Sequence, residues 1–131
     1  MANKDVVNPA GYDAPFGVWS PVIVTDPGRL VFISGWTSRD QSWDVVGVDD
    51  IRAQTRQVCE NLKASIEACG GTLDDILSVT VFVTDIELFD DIHAVRREYF
   101  PNDPPTSTMI EVSRMVDEKS MIEMNAIAVI K

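Results

Sequence analysis

The side chain best placed to do chemistry in this chain is a glutamate set inside an apolar run. In Met121-Ile122-Glu123-Met124-Asn125-Ala126-Ile127-Ala128-Val129-Ile130, strand alternation puts Glu123 and Asn125 on the same face as Ile127 and Val129. A carboxylate among apolar neighbours needs hydrogen-bond donors or a raised pKa, and carboxyls so perturbed serve as general acids and bases. Two readings stay open. Glu123 is a catalytic carboxylate, or it is an edge or inter-subunit carboxylate paired with an arginine such as Arg114. Glu111 makes a weaker case, because it shares its face with Ser107, Met109 and Ser113.

Other chemistries find less support. His93 is the only histidine and falls mid-helix beside Ile92; with no HExxH or clustered ligands, no metal site is expected. A serine triad lacks its motif, since neither Ser34 nor Ser107 sits in GxSxG. Cys59 and Cys69 on one helix would stand about 15 Å apart, beyond disulfide reach. Gly70-Gly71 ends a helix rather than opening one, which removes a phosphate cradle. Trp19, Trp36 and Trp43 gather in the loop-rich first third, where tryptophan lines pockets or interfaces or simply packs. Ser34-Gly35 closes a strand at a point where glycine permits close approach.

The elements that must position these residues are legible from periodicity. Pro21-Val-Ile-Val-Thr and Arg29-Leu-Val-Phe-Ile-Ser, joined by Asp26-Pro27-Gly28, predict a β-hairpin. From Asp49, apolar or small residues at Ile51, Thr55, Val58, Leu62, Ile66 and Cys69 predict a helix, capped by Asp49 or Asp50 and stopped by Gly70-Gly71. Ile76 to Thr84 predicts a strand. Leu88, Ile92, Val95 and Tyr99 predict a second helix from about Ile86 to Phe100, ended by Pro101. Extended runs Thr106 to Ser113 and Ser120 to Ile130 follow, separated by Asp117-Glu118-Lys119. The order β-β-α-β-α-β-β implies an α+β layer with two helices on one sheet face. The last strand is apolar on both faces, so self-association is expected to cover the second.

The 131 residues form a single expected domain, 1–131. A net charge of -10 disfavours nucleic acid and anionic membrane surfaces as partners. No apolar run approaches the roughly 20 residues of a membrane span, and Met1 to Pro9 lacks an apolar leader, so a cytoplasmic location is expected.

Five stretches, in order and spacing, resemble the RidA/YjgF family of reactive-intermediate deaminases, also described as endoribonuclease L-PSP-like. They are Leu30-Val-Phe-Ile-Ser-Gly35, the helix from Gln54 to Gly70, Val79-Thr-Val-Phe-Val-Thr-Asp85, Ile110-Glu-Val-Ser-Arg114, and Ile122-Glu-Met-Asn-Ala-Ile-Ala128. The resemblance implies a chorismate-mutase-like α+β protomer forming a homotrimer, with a central barrel of sheets and ligand clefts between subunits. It also implies cofactor-free hydrolysis of an enamine or imine, for instance in catabolism as 2-aminomuconate deaminases of this family do. In that setting Glu123 would orient or deprotonate water. Ser34, Ser107 and Thr108 would hydrogen-bond the substrate, Gly35 and Met109 would also contact it, and Trp19 would wall it in where the family uses tyrosine.

One position departs. The family's carboxylate-clamping arginine is replaced by Ser107, which forfeits hydrogen bonds to a charged group of about 1.5 to 3 kcal/mol each. Small 2-imino acids should then bind poorly, unless another residue supplies the charge. The alternative function is a non-catalytic trimer that binds a small metabolite or a partner protein. Ribonuclease activity, proposed for some relatives, ranks below both, given the negative charge and lone histidine.

Overall fold

The computed structural model describes residues 4–131. Of the Met1 to Pro9 stretch, Met1, Ala2 and Asn3 lie outside the described residues. The strands are β1 (Lys4–Val7), β2 (Val22–Thr25), β3 (Arg29–Trp36), β4 (Ile76–Val83), β5 (Thr106–Glu111) and β6 (Ile122–Ile130), and the helices are α1 (Ile51–Ala68) and α2 (Phe89–Tyr99). Four strands make the main sheet in the order β3-β6-β4-β5, antiparallel except for the parallel pair β4 and β5. Both helices cover one face of this sheet, as the α+β reading requires.

Local chemistry sets the helix ends. Asp50, not Asp49, caps α1 by accepting the Ala53 N–H at 3.1 Å, and Gly70 takes φ +87° just past its end, a conformation that costs glycine little. Val58, Leu62 and Ile66 of α1 and Ile92 of α2 are buried against Val79, Val81 and Val83 of β4 and Met124, Ala126 and Ala128 of β6. A short 3-10 turn, Ile86–Leu88, leads into α2, and Pro101 follows its last turn.

The expected hairpin does not form. Asp26-Pro27-Gly28 turns the chain, but β2 pairs with β1 in a separate two-stranded ribbon while β3 pairs with β6. The turn signal is local and cannot choose a partner. β6 offers β3 a longer ladder with apolar cross-strand pairs, Leu30 opposite Val129 and Phe32 opposite Ile127. Gly28 permits this approach, because a Cβ there would lie 2.6 Å from the Ile130 carbonyl oxygen.

Among the described residues nothing covers the second sheet face. Leu30, Phe32, Ile110 and Ile127 all stand exposed, Phe32 at 71%. Among the described residues no helix is long and apolar enough to cross a membrane.

Candidate functional site

Glu123 stands on the uncovered face. Its strand position pairs it with Phe82, which in turn pairs with Ile110, so the carboxylate has an apolar row beside it. Across from it, β3 changes register between Ile33 and Trp36, and Gly35 lies in that irregularity. A Cβ on Gly35 would collide with Glu123 Oε2 and come within 2.9 Å of Cδ, so only glycine leaves the carboxylate its place. Glu123 makes no hydrogen bond or ion pair among the described residues. The proposed partner Arg114 instead points its Nε toward the Met115 carbonyl at 3.5 Å. Gly35 and Glu123 share a hollow of about 390 Å³ with Trp36, Arg39, Trp43 and Asp117. Trp36 and Trp43 stack at 5.7 Å with an interplanar angle of 5°, forming one flat wall. Arg39 is neutralised there, 2.7 Å from Asp117.

A second hollow, about 280 Å³, opens at the β5 edge on the helix-covered side. Trp19, Ser107 and Met109 line it together with Phe16, Phe89, His93 and Arg96. Phe16 meets Trp19 edge to face at 5.7 Å. The His93 Nδ1 lies 3.1 Å from the Phe89 carbonyl, which can only accept, so the neutral ring carries its proton on Nδ1 and keeps the Nε2 lone pair. Burial holds the His93 pKa below its usual value. Gly17 makes room for the ring, since a Cβ there would lie 3.1 Å from Nε2.

Arg96 reaches this hollow from α2. Its Nη2 donates to Ser107 Oγ at 3.0 Å and to the Val18 carbonyl at 3.1 Å. The side chain is buried and its Nε has no partner. Burial lowers the Arg96 pKa to about 10, opposed only by the Cys59 thiol, which burial itself pushes up to about 12.

The residues singled out in the sequence therefore fall into two groups. Gly35 and Glu123 share one hollow, while Trp19, Ser107 and Met109 share the other. Ser107 pairs with Val79 and Met109 with Val81, both core residues, so they face the helices, whereas Glu123 faces away. Thr108 lies on the uncovered face in a row with Thr80 and Asn125. Ser34 is exposed beside Gly35. Glu111 accepts the Ile86 N–H at 3.0 Å and so secures the entry to α2. A larger hollow of about 480 Å³ beside α1 contains none of these residues, and its amides are engaged: Gln57 Nε2 donates to Asn61 Oδ1 at 2.9 Å, and Asn61 Nδ2 to the Arg39 carbonyl at 2.8 Å.

Sequence reasoning missed Phe16 and Arg96 and weighed His93 only as a metal ligand or triad base. For Arg96 a signal existed, because it follows Ile92 by four residues and precedes Phe100 by four, inside the buried stripe of α2.

The profile of the endoribonuclease L-PSP family matches residues 12–130. Among solved structures, YyfB from Yersinia pestis, a conserved Rid-family protein of unknown function, is similar at 28% identity and a TM-score of 0.89, covering 98% of this chain and 99% of that one. RidA from an Antarctic Psychrobacter is similar at 26% identity and a TM-score of 0.73, over 96% and 99% of the two chains. TdcF from E. coli, solved with bound serine, is similar at 31% identity and a TM-score of 0.72, over 88% and 92%.

Proposed function

The chain belongs to the RidA/YjgF, or endoribonuclease L-PSP, family, and on that premise we propose that it is a cofactor-free hydrolase that deaminates an enamine- or imine-type small molecule at clefts between the subunits of a homotrimer. The observation that carries this reading is the Glu123 carboxylate, unpaired and given its place by the missing side chain of Gly35. A carboxylate without a cation partner keeps its lone pairs for water. As water attacks the C=N carbon, Glu123 takes one of its protons and the new C–O bond forms. Return of that proton to nitrogen gives the carbinolamine, and transfer of its hydroxyl proton to nitrogen through the same carboxylate lets the C–N bond break as the C=O bond forms, leaving a carbonyl compound and ammonia. An enamine enters the same route after tautomerising to its imine.

A split site supports the shared cleft. Within one chain the Glu123 hollow and the Trp19 hollow open on opposite faces of the sheet, so a substrate touching both would need two copies. The uncovered apolar face supplies the reason for those copies to associate. A ribonuclease reading finds less support: the net charge is -10, and the only histidine turns Nδ1 to a backbone carbonyl.

The test is ammonia release from a panel of imines and enamines. Glu123→Gln keeps the shape and removes the base, and should lower kcat/KM by about 10²-fold or more with the fold unchanged. Equal activity in the variant would remove the catalytic role. Ser107, standing where the resemblance expects an arginine, favours the second reading of a trimer that binds without turnover. Ligand binding with no ammonia release from any panel member would establish that reading instead.

A further inference from the structure

A buried arginine without a counter-charge is an expensive thing for a fold to keep. Moving a cation out of water costs several kcal/mol even after relaxation, and proteins offset this with a carboxylate or a bound anion. Arg96 is 1% exposed, yet no acidic side chain pairs with it among the described residues. Its contacts are a backbone carbonyl and a serine hydroxyl. The one side chain that opposes the burial effect on its pKa is the Cys59 thiol, itself held neutral by burial. Its Nη2 protons are spent on Val18 and Ser107, which leaves the Nε proton unpartnered and Nη1 without a hydrogen bond.

The surroundings describe the missing partner. Arg96 lines a hollow of about 280 Å³ whose other walls are Phe16, Trp19, Phe89 and Met109. Ser107 Oγ accepts from Arg96, so its own proton is free to donate outward. His93 lines the hollow as well. One guanidinium, one hydroxyl and aromatic walls suit a single carboxylate carried on a flat apolar body. A phosphate dianion would find too few donors.

We propose that Arg96, delivered from α2 and held by Ser107, is the anchor of a carboxylate-binding pocket that takes small aromatic or unsaturated monocarboxylates. As a statement about substrate this rests on the hydrolase reading, naming its substrate class as an imine or enamine that bears a carboxylate. As a binding site it stands without turnover, so binding is what the test reads.

Calorimetric titration with benzoate, its neutral isostere benzamide and inorganic phosphate separates the possibilities. The wild-type protein should bind benzoate at least about tenfold more tightly than benzamide, and phosphate more weakly than benzoate. Arg96→Met, which preserves length and packing, should abolish the preference for benzoate over benzamide. Arg96→Lys should retain part of it, as a point charge replaces a fork. Benzoate binding and ammonia release are read separately, so failed catalysis and a failed pocket give different results. Unfolding curves and light scattering on each variant identify any that fail to fold or assemble, and in that case the wild-type comparison of benzoate with benzamide decides alone. The proposal is overturned if the intact wild-type protein does not bind benzoate, if it binds both isosteres equally, if phosphate binds more tightly, or if a folded Arg96→Met keeps the preference. A folded Arg96→Met that loses its assembly while wild type ignores benzoate would show that the counter-charge comes from a neighbouring copy.

Discussion

Glu123 and Gly35 depend on each other, and this gives a second handle on the carboxylate. Gly35→Ala puts a methyl group where Glu123 Oε2 lies, so the carboxylate must move by the order of an ångström. Misplacing a catalytic group by about 1 Å can cost about 10²-fold in rate. Gly35→Ala should therefore reduce kcat/KM in the same direction as Glu123→Gln while leaving Glu123 chemically intact; unchanged kinetics would show that the carboxylate position does not matter. His93 supplies a pH test. Burial comes first among the causes that lower its pKa, Arg96 and Arg97 add to it, and the Phe89 carbonyl and Asp90 oppose them. The unfolded chain then takes up a proton before the folded one does, so stability should fall as pH drops below the ordinary histidine value of about 6.5. Urea unfolding between neutral pH and that lower range should show a shallower loss in His93→Gln than in wild type. At this scale the sequence was partly readable. Glu123 announced itself by breaking an apolar alternation, whereas the orphan state of Arg96 depends on Val18, Ser107 and Cys59, which lie far from it along the chain and meet it only after folding.

At the scale of elements, α1 and β4 were legible because their signals are short-ranged. The α1 stripe of Ile51, Thr55, Val58, Leu62 and Ile66 is buried as its spacing demands, whereas Cys69, the last residue of that spacing, caps the helix end and is exposed; the start of α1 is marked by one side chain. Asp50→Ala should cost about 0.5–2 kcal/mol by leaving the Ala53 amide without its acceptor, read from the urea midpoint at fixed protein concentration. A loss near zero would mean that packing alone defines this end. The strands of the first third were legible as strands but not in their pairing. Proline and glycine at Asp26-Pro27-Gly28 specify a bend, and nothing within those residues states that β3 continues to β6, almost a hundred residues later. β1 went unread because Lys4-Asp-Val-Val7 is too short to show a period; it is a strand only because β2 lies alongside it. α2 shows the opposite case. Its stripe was found, but Arg96, the charged residue buried within it, was not read as marking a pocket.

For the whole molecule, the balance between apolar cover and charge decides assembly. In the proposed trimer three copies, each with a net charge of -10, would repel one another, yet each exposes Leu30, Phe32, Ile110 and Ile127 on one sheet face. Burying apolar surface gains about 25 cal/mol per Å², while repulsion between exposed charges is screened by salt beyond about 10 Å at 0.1 M. Light scattering should therefore give three times the 14.5 kDa of one chain, with a monomer or dimer mass counting against the trimer. Phe32→Asp tests the same face from inside. Phe32 pairs with Ile127 on the uncovered side and contributes nothing to the helix-covered core, so the substitution should spare the protomer fold while placing charge where the copies would meet. Mass should fall toward one chain. Deamination should fall with it, because Glu123 and the Trp19–Arg96 hollow lie on opposite faces of the sheet and only a neighbouring copy can bring the two together over one substrate. A dissociated Phe32→Asp protein that kept full activity would place the whole reaction within a single protomer and end the shared-cleft account.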